Sequence, residues 1–251
     1  MSAQIGAPIG NPPARSAAQQ GSRTGKDSPR RRLNPAVCQL PLAQRVAALS
    51  APARAFHRAL LQAFLAAGRA PLLVALRPVA RQVGTGLERV LGQLVSHDVI
   101  QRAADGAIAV ASPFSSAATA HWVHLTGAPP VSARCILDAL GLPFMVGRPA
   151  TIHTQDPLVA TPITIMVEPA DGALTWRPSS TVALANVPAQ EPVIKAECSC
   201  PFVNAFARPE SAERWRAEHP ERNVHLLTQE QAVAKARTIV GALLQEPAVT
   251  E

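Results

Sequence analysis

The period of the hydrophobic pattern changes near Phe114, and this change constrains the fold more than any other feature of the sequence. Before Phe114, apolar side chains recur at helical spacings of three and four positions; after it, several segments alternate apolar and polar side chains as strands do. Helical segments followed by strands and further helices are typical of an α+β protein. The length of 251 residues allows two folded parts, so we predict an α+β fold with two parts.

The first part, predicted over residues 35–115, has the element order of a winged helix-turn-helix unit. Its first helical segment, ARAFHRALLQAFLAAG, is predicted to end at Gly68. The segments PLLVALRPVARQ and TGLERVLGQLVSHDVI follow, with Pro78 expected to end or bend the second helix. An Asp-Gly turn then precedes alternating Ile108 and Val110, which predicts a hairpin. Three helices and a hairpin together favour the winged-helix interpretation.

Nucleic acid is not the partner that we predict for this unit. A recognition helix presents Arg, Lys, Asn or Gln to base edges, and a wing commonly adds basic groups for the phosphates. Here the third helix opens TGLER and the wing segment ADGAIAV has no basic residue. We therefore interpret residues 35–115 as a scaffold.

Most of the net charge of +7 lies in the first 32 residues, where six basic residues face Asp27 alone. The same segment is rich in Gly, Pro, Ser and Gln and has few apolar side chains to bury. Such a composition cannot offset the entropy cost of ordering. We predict a disordered basic tail over residues 1–34 and a nearly neutral folded remainder.

The second part, predicted over residues 116–251, is expected to be a mixed sheet with flanking helices. The strand-like segments are HWVHLT, ATIHTQ, PITIMVEP, STVALANV and EPVIKAE, and a helix is predicted from about Ser132 to Leu140. A helix SAERWRAEH, a short strand NVHLL and a helix that opens with a capping box at Thr228 and Gln231 close the chain. Because no apolar run is long enough to cross a membrane and no signal-peptide core is present, we predict a cytoplasmic protein without a membrane partner.

The cysteines are the side chains that point to chemistry. The four thiols, Cys38, Cys135, Cys198 and Cys200, do not make a disulfide framework in a chain of this size. Cys135 and Asp138 stand three residues apart on the predicted helix, so both could reach one small ligand. Taken alone, this spacing also fits a buried cysteine near a polar helix end. Cys198 and Cys200 would face the same side of an extended segment, where they could bind a soft metal or each other.

Two segments resemble the alkylmercury (organomercurial) lyase family. RCILDALGLPFMVGRPATI is followed, after several strand-like segments, by CPFVNAFARPESAERW. The resemblance covers about residues 50–246 and implies an active site made of a cysteine, an aspartate one helical turn later and a second cysteine from a distant segment. Carried over to this chain, these residues are Cys135, Asp138 and Cys200, while Cys198 falls outside the motif.

The chain departs from the family pattern beside these residues. Arg134 stands where relatives have an aromatic residue, and on sequence alone we expect its side chain to point into solvent. Asp156 stands where some relatives have a further cysteine, and Pro201 where some have a cysteine directly after the second catalytic one. These departures concern pocket shape and substrate preference.

The resemblance implies protonolysis of the carbon–mercury bond of alkyl or aryl mercury to a hydrocarbon and Hg(II). Mercury is a soft acceptor that selects thiolates, so Cys135 and Cys200 are its predicted ligands, with Asp138 as a further candidate. An aspartate among apolar neighbours has a raised pKa and can relay a proton to carbon. Mercury is then substrate and product, and no cofactor is expected. Cellular thiols are expected to release the product, with a mercuric reductase as acceptor.

Two other functions stay open at this stage. A mercury-binding winged-helix sensor would use the same thiols without cleaving the substrate. A C-x-C thiol oxidoreductase would need Cys198 as much as Cys200 and would give Asp138 no role. Among other polar residues, His121 and His124 face opposite sides of a predicted strand, which disfavours a shared metal, and His153 is predicted to lie on the surface.

Overall fold

Four helices open the part of the chain that the computed structural model describes, which comprises residues 40–186, 200–222 and 224–245. They are α1 (Leu42–Ala47), α2 (Ala51–Ala67), α3 (Leu73–Gln82) and α4 (Leu87–Ser96). On α2, Phe56, Leu60 and Phe64 form a buried stripe at the predicted helical spacing. The helix ends at Gly68, whose φ of 67° is left-handed, so the predicted stop is confirmed.

Of the two outcomes predicted at Pro78, an end to the helix is wrong, because α3 continues through this residue to Gln82. Proline removes the N–H that would bond to the carbonyl of Val74, four residues earlier. Val74 is 67% exposed, so water can reach its carbonyl. The helix therefore tolerates Pro78.

An eight-stranded sheet follows α4 along the chain, with the strand order β1-β2-β3-β5-β4-β6-β7-β8. Its strands are β1 (Ile100–Arg102), β2 (Ile108–Ala111), β3 (Phe114–Ser115), β4 (His121–Leu125), β5 (Val131–Ala133), β6 (Ala150–Gln155), β7 (Pro162–Glu168) and β8 (Ala173–Arg177). The predicted hairpin is confirmed, because Ile100 pairs with Ala111 in the β1–β2 ladder. Phe114 of β3 pairs with Ala133 of β5, so the sheet runs on past the boundary predicted after residue 115. The winged-helix unit and that boundary stay predictions.

The pairing of these strands corrects the predicted mixed sheet. Every strand pair among the described residues is antiparallel. Parallel neighbours need long crossover connections, whereas most of these strands are joined by short turns. The sequence also did not predict β8, because only Trp176 on this edge strand is buried and the strand lacks a clear alternation.

Helix α5 (Ile136–Val146) starts later than predicted. The residues expected to form its first turn instead form β5, which pairs with β4 through Ala133 and His121. Cys135 is consequently the N-cap of α5 rather than an interior residue, and Gly147 ends the helix with a φ of 68°. The short strand decides where the helix begins, because its backbone groups are already bonded to neighbouring strands.

The rest of the described chain builds a smaller three-stranded sheet with two helices beside it. Strand β9 (Val182–Asn186) lies between β10 (Ala205–Phe206) and β11 (Val224–Leu227). Helix α6 (Pro209–Glu218) packs on this sheet, and α7 (Gln229–Val240) opens with the predicted capping box. Helix α7 also packs closely against α5 near Gly141.

Several predictions fall outside the described residues. They are the basic tail, the strand EPVIKAE, Cys38 and Cys198. Among the described helices, none has the length and apolar character needed to cross a membrane. The cytoplasmic location stays a prediction.

Candidate active site

Cys135 and Asp138 lie in the first turn of α5, directly after β5. Cys135 has the extended backbone of an N-cap (φ −153°, ψ 174°), and its Sγ accepts a hydrogen bond of 3.4 Å from the backbone N–H of Asp138. The side chains are 4% and 5% exposed, respectively. The partial positive charge at the N-terminus of a helix and the N–H of Asp138 both favour the thiolate form of Cys135, but the effects of Cys200 and of burial outweigh them.

Cys200 opens a short 3-10 helix, Cys200–Phe202, that docks on the start of α5. The backbone N–H of Ile136 donates to the carbonyl of Val203 at 3.2 Å. The N–H of Leu184 in β9 donates to the carbonyl of Asn204 at 2.9 Å. These bonds fix the segment between α5 and the small sheet and leave Cys200 half-buried.

The structure brings Cys135, Asp138 and Cys200 together, as the resemblance implied. Their ligand atoms, two Sγ and a carboxylate oxygen, all lie within 4.8 Å of one another. We call these three residues the thiol–carboxylate cluster. Among the residues that the structure describes, no other group of three or more His, Cys, Asp and Glu side chains is arranged to hold a metal ion. Two soft sulfur ligands and one hard oxygen ligand fit a thiophilic metal better than Mg²⁺ or Ca²⁺.

The two thiols of the cluster have different acidities. A hydrogen bond with Cys200, followed by burial, raises the pKa of Cys135 well above that of a free cysteine. The same hydrogen bond lowers the pKa of Cys200, with help from the positive charge of Arg134 and against the effect of burial. Cys200 is therefore the thiol that ionises first, and Cys135 keeps its proton and donates it to the Cys200 sulfur.

Asp138 is placed to hold a proton. Burial raises its pKa above that of a free aspartate, although the positive charge of Arg134 opposes the shift. Its Oδ2 is buried and has no hydrogen-bond partner among the described residues. A raised pKa suits a carboxyl group that must take up a proton and then give it back.

Arg134 does not point into solvent, so that prediction is wrong. The side chain is half-buried, and its Nη1 donates a hydrogen bond of 2.8 Å to Oγ of the buried Ser112. Burial lowers the pKa of Arg134, but the negative charges of the cluster raise it by more, so the pKa lies above that of a free arginine. Sequence analysis could have singled out Arg134 because it directly precedes Cys135 at a position where the family pattern has an aromatic residue.

A second pair of charges acts on Arg134 and on the cluster. On α1, Nη1 of Arg45 donates to the carboxylate of Asp98 at 2.7 Å and to the Asp98 carbonyl at 2.6 Å, and both side chains are buried. Asp98 acts electrostatically on Arg134, and Arg45 on Cys200. The helical first part of the chain thus contributes charged groups to the surroundings of the cluster.

Asp156 is a structural residue that sequence reasoning noticed only as a departure from the family pattern. Its side chain is fully buried at the end of β6. Oδ1 accepts hydrogen bonds from the N–H groups of Leu158 and Val159, and Oδ2 accepts one of 2.9 Å from the N–H of Ala207, just after β10. Asp156 therefore ties the large sheet to the segment that follows Cys200.

The histidines considered in the sequence analysis, His121, His124 and His153, lie outside the cluster. His121 is buried with its Nδ1 2.9 Å from Oγ1 of Thr154, and burial lowers its pKa to about 4. His124 and His153 are exposed on the other face of the sheet. His121 and His124 therefore do face opposite sides.

Comparison with known proteins identifies the family. The sequence model of the alkylmercury lyases (MerB) matches residues 114–241, about half of the chain. The chain belongs to the alkylmercury lyase family. The match to that family covers β3 through α7 and so includes the whole thiol–carboxylate cluster.

This alkylmercury lyase family member resembles several named relatives. It is 30% identical to the alkylmercury lyase of Pseudomonas putida over 112 residues, which are 45% of this chain and 51% of that protein. It is 32% identical to the alkylmercury lyase of Streptomyces lividans over 110 residues, which are 44% of this chain and 49% of that protein. The chain therefore spans about half the length of the curated relatives it matches.

A solved structure shows the same fold. The crystal structure of the mercury-bound form of MerB2 superposes with a TM-score of 0.66 at 23% sequence identity. The superposition covers 84% of this chain and 100% of that chain. At this identity the likeness establishes the fold of this alkylmercury lyase family member, and the function is argued below from its own residues.

Proposed function

We propose that this protein cleaves the carbon–mercury bond of alkyl and aryl mercury compounds by protonolysis, giving a hydrocarbon and Hg(II). The observation that carries this proposal is the convergence of two sulfur atoms and one carboxylate oxygen within 4.8 Å. Two thiolates are the ligands that a soft metal prefers, and a carboxyl group beside them can move a proton. The alkylmercury lyases among its relatives support the same substrate class.

Capture begins at Cys200. The residue is half-buried and its thiol has the lowered pKa, so its sulfur attacks the mercury of R–Hg–SR′, where R′S⁻ is the thiolate that delivered the substrate. A bond forms between mercury and Cys200, and the carrier leaves as the thiol R′SH with the proton that Cys200 gave up. The organic group R stays on mercury.

Cys135 then adds to the same mercury, and its proton passes to the carboxylate of Asp138. Each thiolate donates electron density through mercury, which places negative charge on the bound carbon. Asp138 returns the proton to that carbon as general acid while the electron pair of the carbon–mercury bond moves to carbon. R–H leaves and Hg(II) remains on two thiolates. Mercury is Hg(II) before and after this step, so no oxidant or reductant is needed.

Product release is expected to need thiols from solution. Hg(II) held by two cysteines can leave by exchange with two incoming thiols, a step that soft ligands make fast. We infer that cellular thiols perform this exchange and that a mercuric reductase is the acceptor of Hg(II). Turnover should need no added cofactor.

The direct test is release of benzene from phenylmercury by the purified chain in excess thiol, measured by gas chromatography. We expect repeated turnovers of benzene per protein. A protein that binds phenylmercury stoichiometrically and releases no benzene would be a sensor or carrier, and the proposed function would be wrong. A thiol oxidoreductase would instead reduce a model disulfide at a rate that depends on Cys198.

A further inference from the structure

We propose that Arg134 is a positioning residue of the mercury site, whose fixed positive charge, anchored on Ser112, stabilises the anionic complex that forms when both cysteines hold mercury. The inference rests on the proposed role of Cys135 and Cys200 as mercury ligands. It concerns a position at which this chain departs from its family, and it assigns a function to a side chain that the sequence pattern alone leaves in solvent.

The first step of the argument is charge balance. A cation R–Hg⁺ bound by two thiolates carries a net charge of −1, and Hg(II) bound by two thiolates and the Asp138 carboxylate carries the same charge. Cys135 and Asp138 are almost fully buried, so water screens this charge poorly. An uncompensated anion in such a site is costly, and a neighbouring cation removes much of that cost.

The second step is the position of Arg134. It directly precedes Cys135, and its guanidinium interacts electrostatically with all three members of the cluster. A guanidinium stays protonated throughout the working pH range, so its charge is constant through the reaction. Arg134 is therefore a permanent counter-charge for the bound metal.

The third step is that the charge is held in place. Ser112, at the end of β2, is 3% exposed and accepts the 2.8 Å hydrogen bond from Nη1 of Arg134. The backbone N–H of Arg134 donates to the carbonyl of Pro113 at 3.1 Å. A side chain fixed at both backbone and tip loses little entropy when mercury binds.

The fourth step excludes the other nearby cation. Arg45 also acts on Cys200 and Asp138. However, its guanidinium already donates to both the carboxylate and the carbonyl of Asp98, so its charge is largely neutralised there. Arg134, by contrast, acts electrostatically on all three members of the cluster.

The test compares Hg(II) affinity, measured by competition with a dithiol of known affinity, in Arg134→Gln, Arg134→Lys and the control Arg214→Gln. Arg214 lies on α6 in an exposed ion pair with Glu218. We expect Arg134→Gln to weaken Hg(II) binding at least about tenfold, as partly buried charge interactions do. Arg134→Lys should recover most of this loss, and Arg214→Gln should bind as wild type does.

Turnover of phenylmercury provides a second readout. Loss of the counter-charge should raise KM more than it lowers kcat, whereas a general loss of structure would lower kcat and the folded fraction together. Wild-type Hg(II) affinity in Arg134→Gln, or equal losses in the Gln and Lys variants, would overturn the inference. If Arg134→Gln does not fold, Ser112→Ala is tested instead. This variant removes the hydrogen bond that holds the guanidinium of Arg134 but keeps its positive charge. It should weaken Hg(II) binding several-fold, and unchanged affinity would overturn the inference.

The two proposals fail in different ways. A wild-type protein that binds Hg(II) but releases no benzene refutes the proposed function and leaves the Arg134 comparison measurable. A wild-type protein that releases benzene and an Arg134→Gln variant with unchanged Hg(II) affinity and KM refute only the inference.

Discussion

Cys135 and Asp138 reach the cluster from the first turn of α5, whereas Cys200 reaches it from a three-residue 3-10 helix. We call the first pair the helix half of the site and the segment Cys200–Asn204 the loop half. The helix half is set by local geometry, because an N-cap and the residue three positions later always lie close together. The loop half is set by contacts distant in sequence, such as the Ile136–Val203 hydrogen bond. The geometry of the helix half therefore forms with helix α5, whereas the position of the loop half depends on the whole fold.

The comparison extends to chemistry. The helix half is buried, and its groups ionise less easily, since the pKa values of both Cys135 and Asp138 are raised. The loop half is more exposed and ionises more easily, since the pKa of Cys200 is lowered. A site that captures a metal and then protonates a carbon needs both properties, and the structure separates them onto different elements.

Replacing either thiol tests whether both halves are needed and should have the largest effect. Cys135→Ser and Cys200→Ser are each expected to abolish benzene release, because an alcohol is a weak, hard donor for mercury. Cys198→Ser is the matched control and should retain most of the activity. If Cys198→Ser is the inactive variant, the loop half has been assigned to the wrong cysteine.

Asp138→Asn should separate metal capture from protonation within the helix half. The amide is nearly the same size but cannot relay a proton, so hydrocarbon release is expected to fall by at least about 10². Mass spectrometry should show the variant carrying an intact organomercury group on its cysteines. Wild-type turnover would mean that the proton comes from a thiol or water and that the carboxylate has a structural role.

Alkylation of the free protein tests the predicted difference in reactivity between Cys200 and Cys135. Cys200 is both more exposed and more acidic than Cys135, so iodoacetamide should modify Cys200 at least about tenfold faster. Because the pKa of Cys200 is lowered, its modification should begin at a pH below that typical of a free cysteine. Peptide-resolved mass spectrometry after timed pulses measures both rates, and earlier modification of Cys135 would reverse the proposed order of capture.

Gly141→Ala tests the support of the helix half. A Cβ at this position would lie 2.5 Å from Cβ of Val240 and 2.9 Å from the carbonyl oxygen of Ala236, so α5 and α7 must move apart. Such overpacking costs about 1–3 kcal/mol of unfolding free energy. Gly92→Ala in α4 is the matched control. Its Cβ would meet nothing within 4 Å, so it should stabilise the protein by up to about 1 kcal/mol. Denaturant unfolding that gives both variants the same sign would contradict this account.

Asp156→Asn tests the support of the loop half and should have the smallest effect on activity. An amide cannot accept on both sides, so one of the bonds to Leu158, Val159 or Ala207 is lost, at about 1–3 kcal/mol of unfolding free energy. Asp171→Asn is the control, since Asp171 is exposed and accepts from Ala173 alone. We expect KM for phenylmercury to rise in the Asp156 variant and to stay unchanged in the control, as steady-state kinetics would show. Unchanged KM in both would mean that Cys200 does not depend on this tie.

Much of the architecture could be predicted from local patterns. The end of α2 at Gly68, the β1–β2 hairpin and the capping box of α7 all depend on residues close in sequence. The same holds for the pairing of Cys135 with Asp138, whose spacing places both side chains on one turn. By contrast, the sheet was expected to be mixed and α5 to begin earlier, because strand direction and the competition of β5 for those residues depend on distant partners.

The sequence by itself determined the helix half, the chemical types of the three cluster residues and, through the resemblance, the choice of Cys200. Only the tertiary structure decided that Cys200 lies within reach of Cys135, that Arg134 turns inward to Ser112 and that Arg45 and Asp98 form a buried ion pair. The physical reason is the range of the interactions. Backbone geometry fixes side chains one turn apart, whereas the direction of a long charged side chain is chosen by partners that the fold brings from elsewhere in the chain.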